Sequence, residues 1–144
     1  MAAINTGKVV VAGLAAGLVM NVIDFASNMF IFGDRMKADL DAINPQLWEN
    51  MNQSSTIATF VAVDFVLGIL LVWLYSAIRT RFGPGFNTAV KAAIFFWVFG
   101  MVIWFSVTVM LGMTMSNLAL GGVVYLINVL ASAWVGGRLY SEPA

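Results

Sequence analysis

Four apolar blocks, at about 9–32, 56–78, 91–111 and 118–138, leave this chain few ways to fold. Each is long enough to cross a bilayer at roughly 20 residues per helical span. They account for an overall composition that is 61% hydrophobic and 10% charged, where a soluble domain is nearer 45–50% and about 25%. The expected fold is all-α: a single integral membrane four-helix bundle occupying residues 1–144. Its one sizeable connection, 33–55, is expected to be short, helical and extracytoplasmic. No room remains for a second folded domain.

Formal net charge is zero, so nothing draws the chain toward nucleic acid, and none is expected as a partner. The distribution of charge says more. Lys8, Arg79, Arg81, Lys91 and Arg138 lie near the termini and in the second connection, whereas only Arg35 and Lys37 lie in the first. The positive-inside bias therefore places both termini in the cytoplasm and 33–55 outside. Lys8 followed by an apolar run imitates a secretory signal. The run is too long, no small-x-small cleavage site follows it, and three more spans come after, so the expectation is a retained helix.

Small and polar residues form stripes on these spans. In the first, Gly13, Gly17, Asn21, Asp24 and Asn28 share one side of a helix at 100° per residue. The Gly13-x-x-x-Gly17 spacing lets helix backbones approach closely, and packing within the chain is favoured over a dimer interface. The second span carries Asp64, Gly68 and Tyr75, and the fourth carries Gly121, Tyr125, Asn128, Ser132 and Gly136. Gly13, Gly17, Gly68 and Gly121 are the expected helix-packing positions. Trp48, Arg79, Arg81 and Arg138 are the expected interface anchors, with arginine stems lying on apolar surface and guanidiniums in water.

The third span is aromatic on several sides through Phe95, Phe96, Trp97, Phe99, Trp104 and Phe105. A lipid, an apolar pigment or a quinone could contact it, but bulk packing is the better reading. In 33–55, Met36, Leu40 and Ile43 share a helical face, and Asn44-Pro45 looks like a cap and restart. Two short helices on the outer surface are expected, with Trp48 at headgroup level. Gly83-Pro84-Gly85 marks a tight turn between the second and third spans.

Asp24 and Asp64 sit within the apolar blocks with no adjacent cation. An ionised group in hydrocarbon commonly costs about 2.5–3.5 kcal/mol, so such residues face protein or trapped water. Each lies about eight residues from the outer end of its span, roughly 12 Å deep. Asn21 and Asn128 fall a turn or less deeper, and Ser106 is slightly shallower. Asn21, Asp24, Asp64 and Asn128 are thus expected to form one internal polar layer. Two close carboxyls cannot both ionise cheaply there, so at least one is expected to titrate above its ordinary range, and the pair could share a proton. The layer could fix helix register, relay protons or cations, or hold a ligand or lipid; the first is favoured.

Histidine and cysteine are absent, which removes imidazole-ligated haem, thiolate metal sites and the usual general base. No P-loop or dinucleotide fingerprint is present. Neither enzymatic activity, cofactor nor metal is expected.

The stretch Trp73-Leu74-Tyr75-Ser76-Ala77-Ile78-Arg79-Thr80-Arg81-Phe82-Gly83-Pro84-Gly85, followed by Thr88-Ala89, resembles a group of small, uncharacterised bacterial four-span membrane proteins. They carry a WLYAAIRPRFGPG-like turn and an acidic residue near the end of the first span, which Asp24 matches. This chain departs at Ser76 and Thr80. The resemblance implies four-span architecture and a bacterial inner membrane, with no activity to carry over. The expected role is an accessory or structural subunit of a larger membrane complex, or a homo-oligomer. The alternative is a small proton- or cation-coupled transporter using the two aspartates.

Overall fold

In the computed structural model, which describes residues 4–140, every element is helical. Helix α1 (Thr6–Ser27) passes through a π-helical stretch, Asn28–Phe32, directly into α2 (Gly33–Ile43). Then follow α3 (Pro45–Met51), α4 (Ser54–Phe82), α5 (Phe86–Leu111) and α6 (Met115–Leu139). The helix begun by α1, together with α4, α5 and α6, supplies four helices long and apolar enough to cross a membrane. They form a four-helix bundle, the architecture of a multi-pass membrane protein.

Local chemistry sets the helix ends. Asn5 caps α1 by accepting from the Lys8 amide at 3.1 Å. Asn44 caps α3 by accepting from the Gln46 amide, with Pro45 at the first position, as its sequence suggests. Between α4 and α5 the chain turns through Gly83 at φ 79° and Gly85 at φ 121°, both in the region that favours glycine. The Tyr75 hydroxyl accepts from the Gly85 amide at 3.1 Å, and the Thr88 hydroxyl donates to the Gly83 carbonyl at 2.7 Å. Side chains from both helices thus fasten the turn.

The first helix does not stop near residue 32. The Asp24 carbonyl accepts from the Ser27 hydroxyl at 3.0 Å and from the Asn28 side-chain amide at 2.9 Å, besides the Asn28 backbone. Such back-bonding perturbs the helical ladder, and the next turn widens. The Gly33 amide bonds to the Asn28 carbonyl five residues back, and a Cβ on Gly33 would lie 3.2 Å from that carbonyl. The helix then continues to Ile43, 38 residues from its start. At 1.5 Å per residue that is about 57 Å, well beyond a hydrocarbon core of about 30 Å. Of the two separate short helices expected over 33–55, the first is therefore an extension of the first span.

The four long helices form a ring in the order α1, α4, α5, α6, with α1 most extensively packed on α4. Their crossing is built on glycine. A Cβ on Gly68 would lie 2.3 Å from the Gly17 nitrogen and 2.5 Å from the Gly13 oxygen. One on Gly13 would lie 2.4 Å from the Ile69 Cα, and one on Gly17 would lie 2.6 Å from the Phe65 Cα. Only glycine permits this approach at all three positions. On α6 the corresponding residue is Gly136, where a Cβ would meet Val72 Cγ2 at 2.4 Å. Gly121 is different: its nearest neighbour would be Phe32 Cζ at 4.0 Å, ordinary contact. The expected packing role on α6 falls to Gly136 because Gly121 is turned away from the tight seams.

Burial is uneven along the bundle. Leu71, Val72, Tyr75, Ala89, Ala92, Ala93 and Ala133 are sealed in the half nearest the α4–α5 turn. No residue of α4 before Gly68 is buried, and none of α5 between Ala93 and Thr108 is. On these two helices full burial is thus concentrated in one half, and the other half leaves their outer faces open.

At the open end, Asp39 of α2 ties the projecting helix to the bundle. Its carboxylate accepts from the Thr114 amide at 3.3 Å, from the Thr114 hydroxyl, and from Asn117 Nδ2 at 2.8 Å. It caps the start of α6, where Thr114 itself supplies no side-chain cap and negative charge is favoured. Desolvation, the largest single effect, pushes the Asp39 carboxyl up, but the three hydrogen bonds together outweigh it and hold the group below its ordinary 3.8. A carboxyl held low stabilises the fold above its unfolded value and loses that contribution as pH falls through the folded one. Asp39→Asn is expected to lower the melting temperature at pH 7, and the difference from the parent protein is expected to shrink as pH falls below the ordinary 3.8 and through the lowered folded value, read by thermal unfolding in detergent across that range.

Candidate functional site

The best-connected polar group inside the bundle is an α1–α6 contact. Asn128 is 2% exposed, and its Nδ2 donates to Asp24 Oδ1 at 2.6 Å. The same nitrogen approaches the Met20 carbonyl at 3.4 Å, while the buried Ser132 hydroxyl donates to Asn128 Oδ1 at 3.2 Å. Asn128 therefore uses both ends of its amide. The i, i+4 spacing of Asn128 and Ser132 on α6 produces this chain of bonds.

Asn21 belongs to a second, separate contact. Its Nδ2 donates to the Gly17 carbonyl at 3.0 Å and to the Val61 carbonyl of α4 at 3.3 Å. It stitches the glycine crossing and bonds neither carboxylate. Asp64 lies beside that crossing, since a Cβ on Gly17 would meet the Asp64 carbonyl oxygen at 2.9 Å. The Asp64 side chain is half-buried and within electrostatic reach of Asp24. Among the described residues no donor bonds to its carboxyl. The four residues expected in one layer thus divide into a bonded Asp24–Asn128 pair, which Ser132 extends, an Asn21 staple, and an unbonded Asp64 near Asp24.

Ser106, read from sequence as slightly shallower than this layer, is exposed and donates to the Val102 carbonyl of its own helix at 2.9 Å. Tyr125 does come close: it is within electrostatic reach of Asp24, and its ring covers Gly100, where a Cβ would lie 2.7 Å from the hydroxyl. The aromatic α5 also contributes Trp97, whose indole N–H donates to the Gly122 carbonyl at 2.8 Å. Phe95 and Phe99 are more than 60% exposed, so much of this helix faces outward. Thr108 is buried with an unbonded hydroxyl, a feature without a sequence signal.

The expected anchors divide by end. At the α4–α5 turn the Arg79 guanidinium stands 5.5 Å from the Tyr140 ring centre, and Arg138 stands 5.4 Å from that of Trp134. Arg81 is exposed. Tyr140 packs edge-on against Tyr75 at 6.2 Å and accepts from the Asn5 amide, joining both chain ends to the turn. Trp48, at the opposite end, is half-buried on α3. No cluster of three or more metal-ligating acidic side chains occurs among the described residues.

The chain matches no family model, no curated protein and no solved structure.

The Asp24–Asn128 bond yields a direct test. Asn128→Leu keeps the branched outline of the side chain but removes the donor to Asp24 and the acceptor for Ser132, and is expected to destabilise the bundle by at least about 0.6–1.7 kcal/mol, the range of interhelical hydrogen bonds in membranes. Asp24→Asn keeps a carbonyl to accept from Asn128 and should cost less than half as much. Reversible unfolding in mixed detergent and SDS measures both.

Proposed function

We propose that this chain is a non-enzymatic assembly subunit of a bacterial inner membrane, working either as a homo-oligomer or as an accessory component of a larger complex. In this reading the termini face the cytoplasm, as the distribution of Lys and Arg favours. The observation that carries it is the open half of the bundle. There α4 buries no residue before Gly68 and α5 buries Thr108 alone after Ala93, yet α4 carries Asp64, whose carboxyl has no donor among the described residues.

An unbonded carboxyl at that depth is costly, and a neighbouring transmembrane helix can supply the missing donor. Exposed Phe60, Phe95, Phe99 and Phe105 offer the surrounding apolar area. Asp24, by contrast, is engaged by Asn128 and fits a register-fixing role.

A second reading rests on the electrostatic proximity of Asp24 and Asp64. Two neighbouring carboxyls can pass one proton or hold a cation between them, and a small transporter would use them so. Purification in mild detergent separates the two. The assembly reading expects a stoichiometric companion or a defined homo-oligomer, lost in Asp64→Leu, with no flux from liposomes. A lone monomer giving proton- or cation-dependent flux that Asp64→Asn abolishes would establish the transporter instead.

A further inference from the structure

The end of the bundle at the α4–α5 turn is basic. Lys8, Arg79, Arg81, Lys91 and Arg138 lie there, and among the described residues no Asp or Glu accompanies them; Glu142 follows in the sequence, outside those residues. Between α5 and α6 at this end is a groove of about 230 Å³, lined by Gly85, Phe86, Ala89, Trp134, Gly137 and Arg138. Its walls are mostly apolar, and its one charged side chain is a guanidinium.

We propose that this groove binds the phosphate of an anionic phospholipid, with Arg138 as its principal ligand. The Arg138 guanidinium carbon lies over the Trp134 ring, 5.4 Å from its centre. A cation so placed is held by the ring, and a guanidinium can then offer its N–H groups to phosphate oxygens in bidentate contact. Gly85 is the N-cap of α5 and Phe86 its first residue, and no side chain caps this helix start. The Gly85 amide is taken by Tyr75 and the Ala89 amide by the Gly85 carbonyl, so of these lining residues Phe86 offers its amide, at a positive helix end on the same wall. Gly85 has no atom within 4 Å of where a Cβ would stand, so the groove is open at that point.

The lining distinguishes a lipid from a soluble anion. Phe86 is 62% exposed and Trp134 47% exposed, surfaces that a hydrated ion does not cover and an acyl chain does. The position, where apolar helices give way to a ring of cations, is where basic pockets between helices meet acidic headgroups.

The test is titration of the delipidated protein in mild detergent with phosphatidylglycerol or phosphatidylcholine, retained lipid being counted by native mass spectrometry. Phosphatidylglycerol is expected to be retained in preference to phosphatidylcholine. Arg138→Gln should weaken its retention about fivefold, the effect of one basic side chain near a headgroup. Arg81→Gln, on an exposed residue outside the groove, should change it less than about twofold. Arg138→Lys should recover part of the loss, and Trp134→Leu should give an intermediate one, reporting on the same groove should Arg138→Gln fold poorly. Equal retention of the two lipids, undiminished binding by Arg138→Gln, or displacement of the lipid by millimolar inorganic phosphate would each overturn the assignment.

Discussion

The contact of α1 with α4 through Gly13, Gly17 and Gly68 governs the rest of the bundle. Apolar side chains gain little from meeting one another in lipid, so close backbone approach and interhelical hydrogen bonds must hold membrane helices together. The crossing supplies the first and positions the second. It lets Asn21 reach the Val61 carbonyl and sets the Asp64 backbone against Gly17. With α4 occupying one side of α1, Asp24 meets α6, where Asn128 is buried and ready to donate.

Tight packing in one half has a consequence in the other. Alanine and glycine dominate where the helices are close, and Tyr75, Thr88 and Tyr140 fasten that end with hydrogen bonds and ring contacts. Beyond Gly68 and Ala93 the chain offers α4 and α5 large, exposed side chains instead. The far end of the open half is held by Asp39, which reaches from α2 to the start of α6. Within that half Asn21 and the glycine crossing hold α4 to α1 and the Trp97–Gly122 bond holds α5 to α6, while their outer faces stay uncovered. A molecule fixed at one end and laterally open toward the other is suited to receiving neighbouring helices, and this is the physical basis of the proposed assembly role.

The four helices were legible in the sequence because each apolar block is long and bounded by Gly, Pro or charge. Depth alone suggested that Asp24 and Asn128 lie at one level, and they are bonded. Three features had no such signal. The π-helical stretch arises because the Asp24 carbonyl takes bonds from Ser27 and Asn28 together, a competition that periodicity does not reveal. The Asp39 cap joins residues 75 positions apart, and its charge looked like one more solvated group in an acidic connection. The exchange of Gly121 for Gly136 depends on the rotation of α6, since both lie on the same small-residue stripe.

The chain contains no cysteine, so a single one can be introduced and followed without background. Val63 is 43% exposed on the open half of α4, and Val11 is 70% exposed on the closed half of α1. Bismaleimide cross-linking of Val63→Cys and Val11→Cys in native membranes measures directly whether α4 has a protein neighbour there. The account predicts a discrete cross-linked species from Val63→Cys, to a second copy or to a companion subunit carrying its own thiol, and none from Val11→Cys. If position 63 reacts only with a lipid-soluble maleimide and forms no cross-link in any membrane preparation, the open half faces acyl chains and the assembly role is contradicted.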